Sequence, residues 1–208
     1  MKHILSAYKA QEFIKPYVSV PKCQLIKQLW QVKLKLPLVL KLISPKLIHK
    51  SDIDGVKIAK TPGELKKSFN ELIKTAKRKK INIEGILVQE FCEGQELIIG
   101  IKKDPTFNHM IIFGLGGIFT EVLKDTSTRK CPITIDDIEE MLSELKSKAI
   151  LQGYRGKKLN LSLLKQTLLS LSELPSKYKN IQELDINPFI LNSKEGKAVD
   201  VRIVFETK

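Results

Sequence analysis

Apolar and polar positions along the chain switch between a helical and a strand period, and the switches mark the elements. Ser6 to Tyr17 reads as a short helix, capped by Ser6 and ending near Pro16. Residues 23–35, CQLIKQLWQVKLK, fit helix or strand, with Leu25, Leu29 and Val32 favouring helix. PLVLKLIS (37–44) is a strand, and 55–60 is a second. The clearest helix is TPGELKKSFNELIKTAKRKK (61–80). Thr61 is its cap, Pro62 takes the first helical position and Glu64 completes a capping box. Leu65, Phe69, Leu72, Ile73 and Ala76 then form one apolar stripe. EGILVQEFC and QELIIGIKKD are strands joined at Glu93-Gly94, and HMIIFGLGGIFTEVLKD reads as two strands around a glycine-rich turn. Thr134 with Asp137 opens a helix carrying Ile138, Met141, Leu142 and Leu145, and Asn160 caps LSLLKQTLLSLSEL. The chain closes with IQELDINPFIL, a turn at NSKEG, and KAVDVRIVF, a hairpin by its alternation and turn residues.

Strands and helices are mixed without regular βαβ alternation, which predicts an α+β fold. The expected division is a leading helix over 1–19 and two α+β lobes over 20–87 and 88–208. With 42% apolar residues in 208, the chain can bury a sizeable core. The longest apolar run, LPLVLKLI, is too short to span a bilayer and holds Lys41, so no membrane role is expected. No signal-peptide pattern opens the sequence. Cys23, Cys92 and Cys131 show no CxxC pair or metal-ligand spacing, which suits a reducing, cytoplasmic setting. The formal net charge of +13, from 36 Lys+Arg against 23 Asp+Glu, attracts polyanions: nucleic acid, phosphometabolites, anionic membrane or an acidic partner subunit. Its bland source is a general lysine enrichment. Aromatics are only 6% and no helix-turn-helix or RNA-binding signature appears, so nucleic acid is not the expected partner.

Four stretches could carry chemistry. In the closing hairpin, Glu183, Asp185 and Asn187 share one strand face, and the turn near 193–194 sets Asp200 opposite or next to Asn187. An amide oxygen and a carboxylate at that range suit Mg²⁺, which takes one or two protein ligands plus phosphate oxygens and water. The alternative is a solvated polar face. In FGLGGIFTEVLKD, Gly114, Gly116 and Gly117 let backbone amides approach a ligand, with Glu121 a few residues on; a tight hairpin explains the glycines equally well. In ILVQEFCEGQELIIG, a strand ends at Gln89-Glu90-Phe91, where its backbone can pair with an adenine edge. Glu96 follows a short turn and can bind ribose hydroxyls; a hairpin with a charged turn is the plainer reading. Lys41 lies in LVLKLI on a face with Val39 and Ile43, as a phosphate contact in a sheltered cleft would; a snorkelling edge lysine is the alternative.

LVLKLISPKLIHKSDIDGVKIAK, GILVQEFCEGQELIIGIKKDPTF, IIFGLGGIFTEVLKDTSTRKCPIT and IQELDINPFIL…AVDVRIV occur in this order over nearly the whole chain. Together they closely resemble the ATP-grasp β subunit of ADP-forming acyl-CoA synthetases of the acetate–CoA ligase type. The DINP…VD pair is shared more broadly with the succinyl-CoA synthetase β subunit. The resemblance implies an ATP-grasp fold, with ATP or ADP held between two α+β lobes. By that likeness Lys41 and Arg129 contact phosphate, and Gln89, Glu90 and Phe91 hold adenine. Glu96 binds ribose, Gly116 and Gly117 line the nucleotide, and Asn187 and Asp200, with Asp185 beside them, hold Mg²⁺. Arg129 alternatively meets a docking partner. His49, in the HKSD segment, matches a phosphoryl-relaying histidine, and Lys50 would neutralise phosphate charge beside it. CoA and the principal phosphohistidine would belong to an α subunit, in an α₂β₂ assembly, with the reaction acetyl-CoA + ADP + Pi = acetate + CoA + ATP. Two departures from the family pattern stand out. Asp54 replaces a glycine of HKSDVGGV, and the segment before Pro37 is shorter than usual. They leave room for a non-catalytic nucleotide-binding or regulatory subunit, and a succinyl-CoA synthetase-like subunit is a further alternative.

Overall fold

A computed structural model describes residues 2–44, 54–117, 120, 123–153 and 158–207. His49, Lys50 and Glu121 lie outside the described residues. In chain order the elements begin with β1 (Lys2–Ile4), α1 (Ala7–Ile14), β2 (Cys23–Ile26), β3 (Leu38–Ile43), β4 (Val56–Ala59), α2 (Pro62–Arg78) and β5 (Gly85–Glu90). They continue with β6 (Gln95–Asp104), β7 (Asn108–Leu115), β8 (Thr126–Lys130), α3 (Ile135–Glu144), α4 (Lys148–Leu151), α5 (Leu161–Ser172), α6 (Leu174–Lys177), β9 (Ile181–Leu191), β10 (Gly196–Ala198) and β11 (Val201–Glu206). The chain divides into two compact units. The smaller is Ser6–Lys9 with Pro21–Cys92, and the larger is Met1–Leu5, Ala10–Val20 and Glu93–Lys208. Strand β5 spans the boundary expected after residue 87 and belongs whole to the smaller unit.

The smaller unit is an antiparallel sheet in the order β2-β5-β3-β4 with α2 on one face. Strand alternation sorts its side chains. Leu38, Leu40 and Leu42 join Ile26, Ile86 and Val88 against Phe69, Leu72 and Ala76 of α2. The opposite face takes Val39, Lys41, Ile43, Leu87 and Gln89, by the pairings Val39↔Gln89 and Lys41↔Leu87. Thr61 caps α2, its hydroxyl accepting from the Glu64 N–H at 3.2 Å. Glu64 reaches back to the Lys60 N–H at 2.7 Å, one residue before the position a capping box uses. The helix favoured over 23–35 is not formed. Residues 23–26 pair with β5, and a single 3₁₀ turn (Leu29–Gln31) follows, closed by the Gln31 side chain accepting from the N–H groups of Lys27 and Gln28, each at 2.8 Å. The apolar spacing is still used, because Leu29, Val32, Leu34 and Leu36 pack on the α2-side core. Strand pairing removed the option of a helix.

The larger unit is a seven-stranded antiparallel sheet, β1-β11-β9-β6-β7-β8 with β10 paired to β9. Its core gathers Ile99, Ile101, Phe113, Leu184, Ile186 and Ile203 under Ile138 and Met141 of α3 and Leu164, Leu168 and Leu171 of α5. The Thr134 and Asp137 side chains form the expected capping box of α3, and Asn160 caps α5 by accepting from the Leu163 N–H at 3.0 Å. Of the two strands expected around the glycine turn of 109–125, the described residues show the first. β7 ends at Leu115, Thr120 is helical, and the next strand starts at Thr126. Gly117, at φ +63°, turns the chain off the ladder, and the Thr120 N–H donates to its carbonyl at 3.1 Å. The closing hairpin forms with its return limb split into β10 and β11. Among the described residues no helix is long and apolar enough to cross a membrane.

The small-unit core depends on Leu72, which is fully buried under α2. Leu72→Ala is expected to cost about 2–5 kcal/mol, measured by urea unfolding of the whole chain. A loss below about 1 kcal/mol contradicts the packing described.

Candidate active site

On the larger unit, the face of the sheet away from α3 and α5 collects the predicted site residues. β9 pairs with β11 through Val201↔Ile186 and Arg202↔Asp185, so the next rung sets Asp200 against Asn187. The Asn187 N–H donates to the Asp200 carbonyl at 3.1 Å. Directly paired antiparallel residues share a face, so Asn187, Asp200, Asp185 and Arg202 stand on one side while Leu184, Ile186 and Ile203 are buried on the other. On the opposite flank of β9, Gly100 pairs with Asp185 and puts no side chain over it.

The electrostatics of this face are acidic and partly compensated. Burial pushes the Asp185 carboxyl above its ordinary value, and the neighbouring Glu183 and Asp200 push it further; Arg202 offsets part of this. Arg202 also forms an ion pair with Glu183, while its Nε is buried without a hydrogen-bond partner. Neither the Arg202 pairing nor the raised Asp185 was read from the sequence, although the turn position that sets Asp200 against Asn187 also sets Arg202 against Asp185. A cluster that disfavours its own ionisation is stabilised by a cation. Among the described residues no group of three or more His, Cys, Asp or Glu could hold a metal ion alone. The amide oxygen of Asn187 and the carboxylate of Asp200 are hard oxygen donors, the kind that Mg²⁺ takes in small number beside phosphate oxygens and water.

The structure brings Glu96, Gly116 and Gly117 together. The Gly116 N–H donates to the Glu96 carbonyl at 2.8 Å, and a Cβ on Gly116 would lie 3.1 Å from the Glu96 Cβ. The Glu96 side chain is exposed beside Gly117. What ends this loop is Asp125, a residue given no role in the sequence reading. It is 4% exposed and accepts from the N–H groups of Lys146 and Ser147, each at 2.9 Å, and from the Ser147 hydroxyl. Burial alone would raise its pKa, but these hydrogen bonds outweigh burial and hold it below the ordinary 3.8.

Arg129 is committed elsewhere. It pairs with Glu140 at 3.1 Å and with Glu144 on α3, and donates to the Thr128 carbonyl at 3.0 Å. Phosphate contact through Arg129 requires breaking this network, so its placement favours a structural role in tying β8 to α3.

On the smaller unit, Lys41 is 4% exposed and shares its sheet face with Gln89. The N–H groups of Glu90 and Phe91 donate to the carbonyls of Lys22 and Pro37, at 3.0 and 3.2 Å. Glu90 also accepts from the Lys22 N–H at 3.1 Å. Those two N–H groups are thereby taken up within the unit. Asp54 adopts φ +57°, the left-handed conformation that its glycine counterpart would take without cost. Its carboxylate accepts from Lys57 at 2.6 Å, and Lys57 also lies 3.6 Å from Glu71. The negative charge added at this position is thereby paired within the unit, and Asp54 in turn raises the Lys57 pKa.

Comparison with known proteins shows the family. A family model described as an ATP-grasp domain matches residues 2–205. The β subunit of acetate–CoA ligase [ADP-forming] II from Pyrococcus furiosus is 38% identical over 213 residues, covering 96% of this chain and 90% of that protein. A 4-hydroxybutyrate–CoA ligase [ADP-forming] from Nitrosopumilus maritimus is 40% identical over 209 residues. This chain spans only 30% of that protein, and 25% of acetate–CoA ligase [ADP-forming] I from Archaeoglobus fulgidus. A solved acetyl-coenzyme A synthetase 1 of Ca. Korarchaeum cryptofilum superposes with a TM-score of 0.93 at 37% identity, covering 98% of this chain and 93% of that one. The chain belongs to the ATP-grasp family, in the branch of the β subunits of ADP-forming acetate–CoA ligases.

Replacing Asp125 tests the loop anchor. Its folded pKa is lowered, so its contribution is present above pH 3.8 and lost as pH falls through the folded value. Asp125→Ala is expected to cost about 1.5–3 kcal/mol at pH 7 and to flatten the acid limb of a stability–pH profile followed by urea unfolding. An unchanged acid limb means the carboxylate does not anchor the loop.

Proposed function

We propose that this chain is the nucleotide-handling β subunit of an ADP-forming acyl-CoA synthetase, catalysing acetyl-CoA + ADP + Pi = acetate + CoA + ATP with a CoA-binding partner. The observation that carries this reading is the rung that sets Asn187 against Asp200, beside Asp185, on the open face of the larger sheet. In the Korarchaeum protein, solved structures hold coenzyme A with Mg-AMPPCP and a phosphohistidine segment pointing towards the nucleotide site.

On this reading Asn187 and Asp200 hold Mg²⁺, with Asp185 adding negative potential behind them. Bound there, the cation would supply positive charge to offset the phosphates. Lys41, sheltered from water, supplies fixed positive charge to the same phosphates. Glu96 accepts from ribose hydroxyls, and the Gln89–Phe91 segment meets adenine. Gly116 and Gly117 let the backbone come close to the nucleotide. His49, assigned from its HKSD motif, takes the phosphoryl group from the partner's phosphohistidine and passes it to ADP. In that last step the N–P bond breaks as a β-phosphate oxygen forms the new O–P bond, and Lys50 offsets charge on the group in transit. Positioning and charge neutralisation carry most of the rate. The pairing of Asp54 with Lys57 supports a catalytic over a purely regulatory subunit, because that carboxylate is already neutralised. CoA, the principal phosphohistidine and the α₂β₂ arrangement are assigned to the partner and the assembly on the same reading.

The test is reconstitution with a CoA-binding partner, followed by ATP release from acetyl-CoA, ADP and phosphate. His49→Asn is expected to abolish ATP formation while leaving MgADP affinity within about twofold, since the nucleotide's ligands are elsewhere. Equal loss of both means the histidine only shapes its loop, and no ATP from any acyl-CoA contradicts the enzyme reading.

A further inference from the structure

The chain's positive charge is not spread evenly. The smaller unit, little more than a third of the residues, holds 17 Lys+Arg against 6 Asp+Glu, a formal +11 of the total +13. The larger unit, with 19 against 17, is left with +2. General lysine enrichment would load both units in proportion to length, so it does not account for the asymmetry.

Much of this charge lies on one side of the smaller unit. Lys66, Lys67, Lys74, Lys77 and Arg78 are exposed on α2, and Lys79 and Lys80 directly follow it. Cations in the last turn suit the helix dipole. That accounts for Lys77 and Arg78 but not for Lys66 or Lys67 in the first half. Like charges three and four residues apart, as in Lys74 with Lys77 and Arg78, cost the isolated helix about 0.2–0.5 kcal/mol per pair. The segment 27–36 lies over the same core, with Leu29, Val32, Leu34 and Leu36 turned in and Lys27, Lys33 and Lys35 exposed. Trp30, the only tryptophan in the chain, is 82% exposed in its 3₁₀ turn. A cleft of about 260 Å³, lined mainly by Ile26, Ile73, Ile83 and Ile86 with Lys27 and Glu84 also lining it, joins this segment to α2. Lys41 and Gln89 belong to the opposite face of the sheet, so the nucleotide site does not use this surface.

A face with an exposed tryptophan, a small apolar cleft and a surround of unpaired lysines fits a protein surface of opposite charge. We infer that this face docks an acidic surface of the CoA-binding partner, with Trp30 as the anchor and the lysines of α2 and 27–35 as the charged rim. The inference rests on the reading that such a partner exists. Nucleic acid fits less well. The cations are nearly all lysines, without the guanidinium forks that grip phosphate in two places, and one aromatic offers no run of stacking platforms. The chain's own acidic helix α3 is a poor occupant, because Arg129 and Lys165 already pair with Glu139, Glu140 and Glu144.

Trp30 makes its own probe. The full chain is titrated with the CoA-binding partner, and separately with oligothymidylate, while tryptophan emission is followed. The partner should shift the emission to shorter wavelength. Trp30→Ala, read by calorimetry, should weaken partner binding about thirtyfold. The triple variant Lys74→Glu, Lys77→Glu and Lys80→Glu should weaken it at least about tenfold at low salt and much less at high salt. MgADP affinity should be unchanged in both variants, which shows that they fold. If the wild-type pair forms ATP but neither variant binds differently, the docking inference is wrong and the enzyme reading stands. Oligothymidylate binding that displaces the partner overturns it in favour of nucleic acid. A wild-type chain that makes no ATP with any CoA-binding partner removes the enzyme reading and the inference with it.

Discussion

The rest of the structure depends on one backbone register, the pairing of β9 with β11. Asn187 lies against Asp200 only because Val201 meets Ile186 and Arg202 meets Asp185. A slip of one residue would turn every side chain of β11 to the other face, putting Asp200 into the core and Val201 towards solvent. The register is held by the apolar set it buries, with Leu184, Ile186 and Ile203 fully enclosed under α3 and α5. The packing of one face thus specifies the chemistry of the other.

The site that results is unstable in isolation by design of its charges. Asp185 is half-buried between Glu183 and Asp200, and burial first, then their charges, raise its pKa. Arg202 keeps the cluster tolerable by pairing with Glu183. What remains is negative potential at an open face, next to a glycine that leaves room above the sheet. The smaller unit presents the complementary sign, with the buried Lys41 on one face of its sheet and the exposed lysines of α2 beyond the other. The two faces of that small sheet therefore differ in kind, one holding a buried lysine and the other exposed ones.

Much of this was legible in the sequence where local chemistry decides structure. The caps at Thr61, Thr134 and Asn160 each take the hydrogen bond their residue type offers. The alternation in IQELDINPFIL set Glu183, Asp185 and Asn187 on one face, and the turn position set Asp200 near Asn187. The readings that failed did so where distant partners decide. Residues 23–35 have spacing compatible with a helix, but β5 offers their N-terminal part a ladder. After the glycine turn, Thr120 is helical and the next described strand starts at Thr126, just past Asp125, whose partners Lys146 and Ser147 lie about twenty residues away. The ion pairs of Arg129 were not legible either, because their carboxylates lie 11 and 15 residues away on α3. The paired Asp54 likewise depended on a lysine three residues on and a left-handed backbone that residue types alone do not specify.

The central claim is that the opposed Asn187 and Asp200 make nucleotide capture depend on a divalent cation. Calorimetry of ADP binding to the purified chain, with magnesium and with the metal chelated, tests it most directly. The account predicts uptake of ADP with magnesium, at least about tenfold weaker binding without it, and loss of that difference in Asp200→Ala. Equal affinity with and without the cation, or an Asp200→Ala chain that keeps the full magnesium effect, would contradict it.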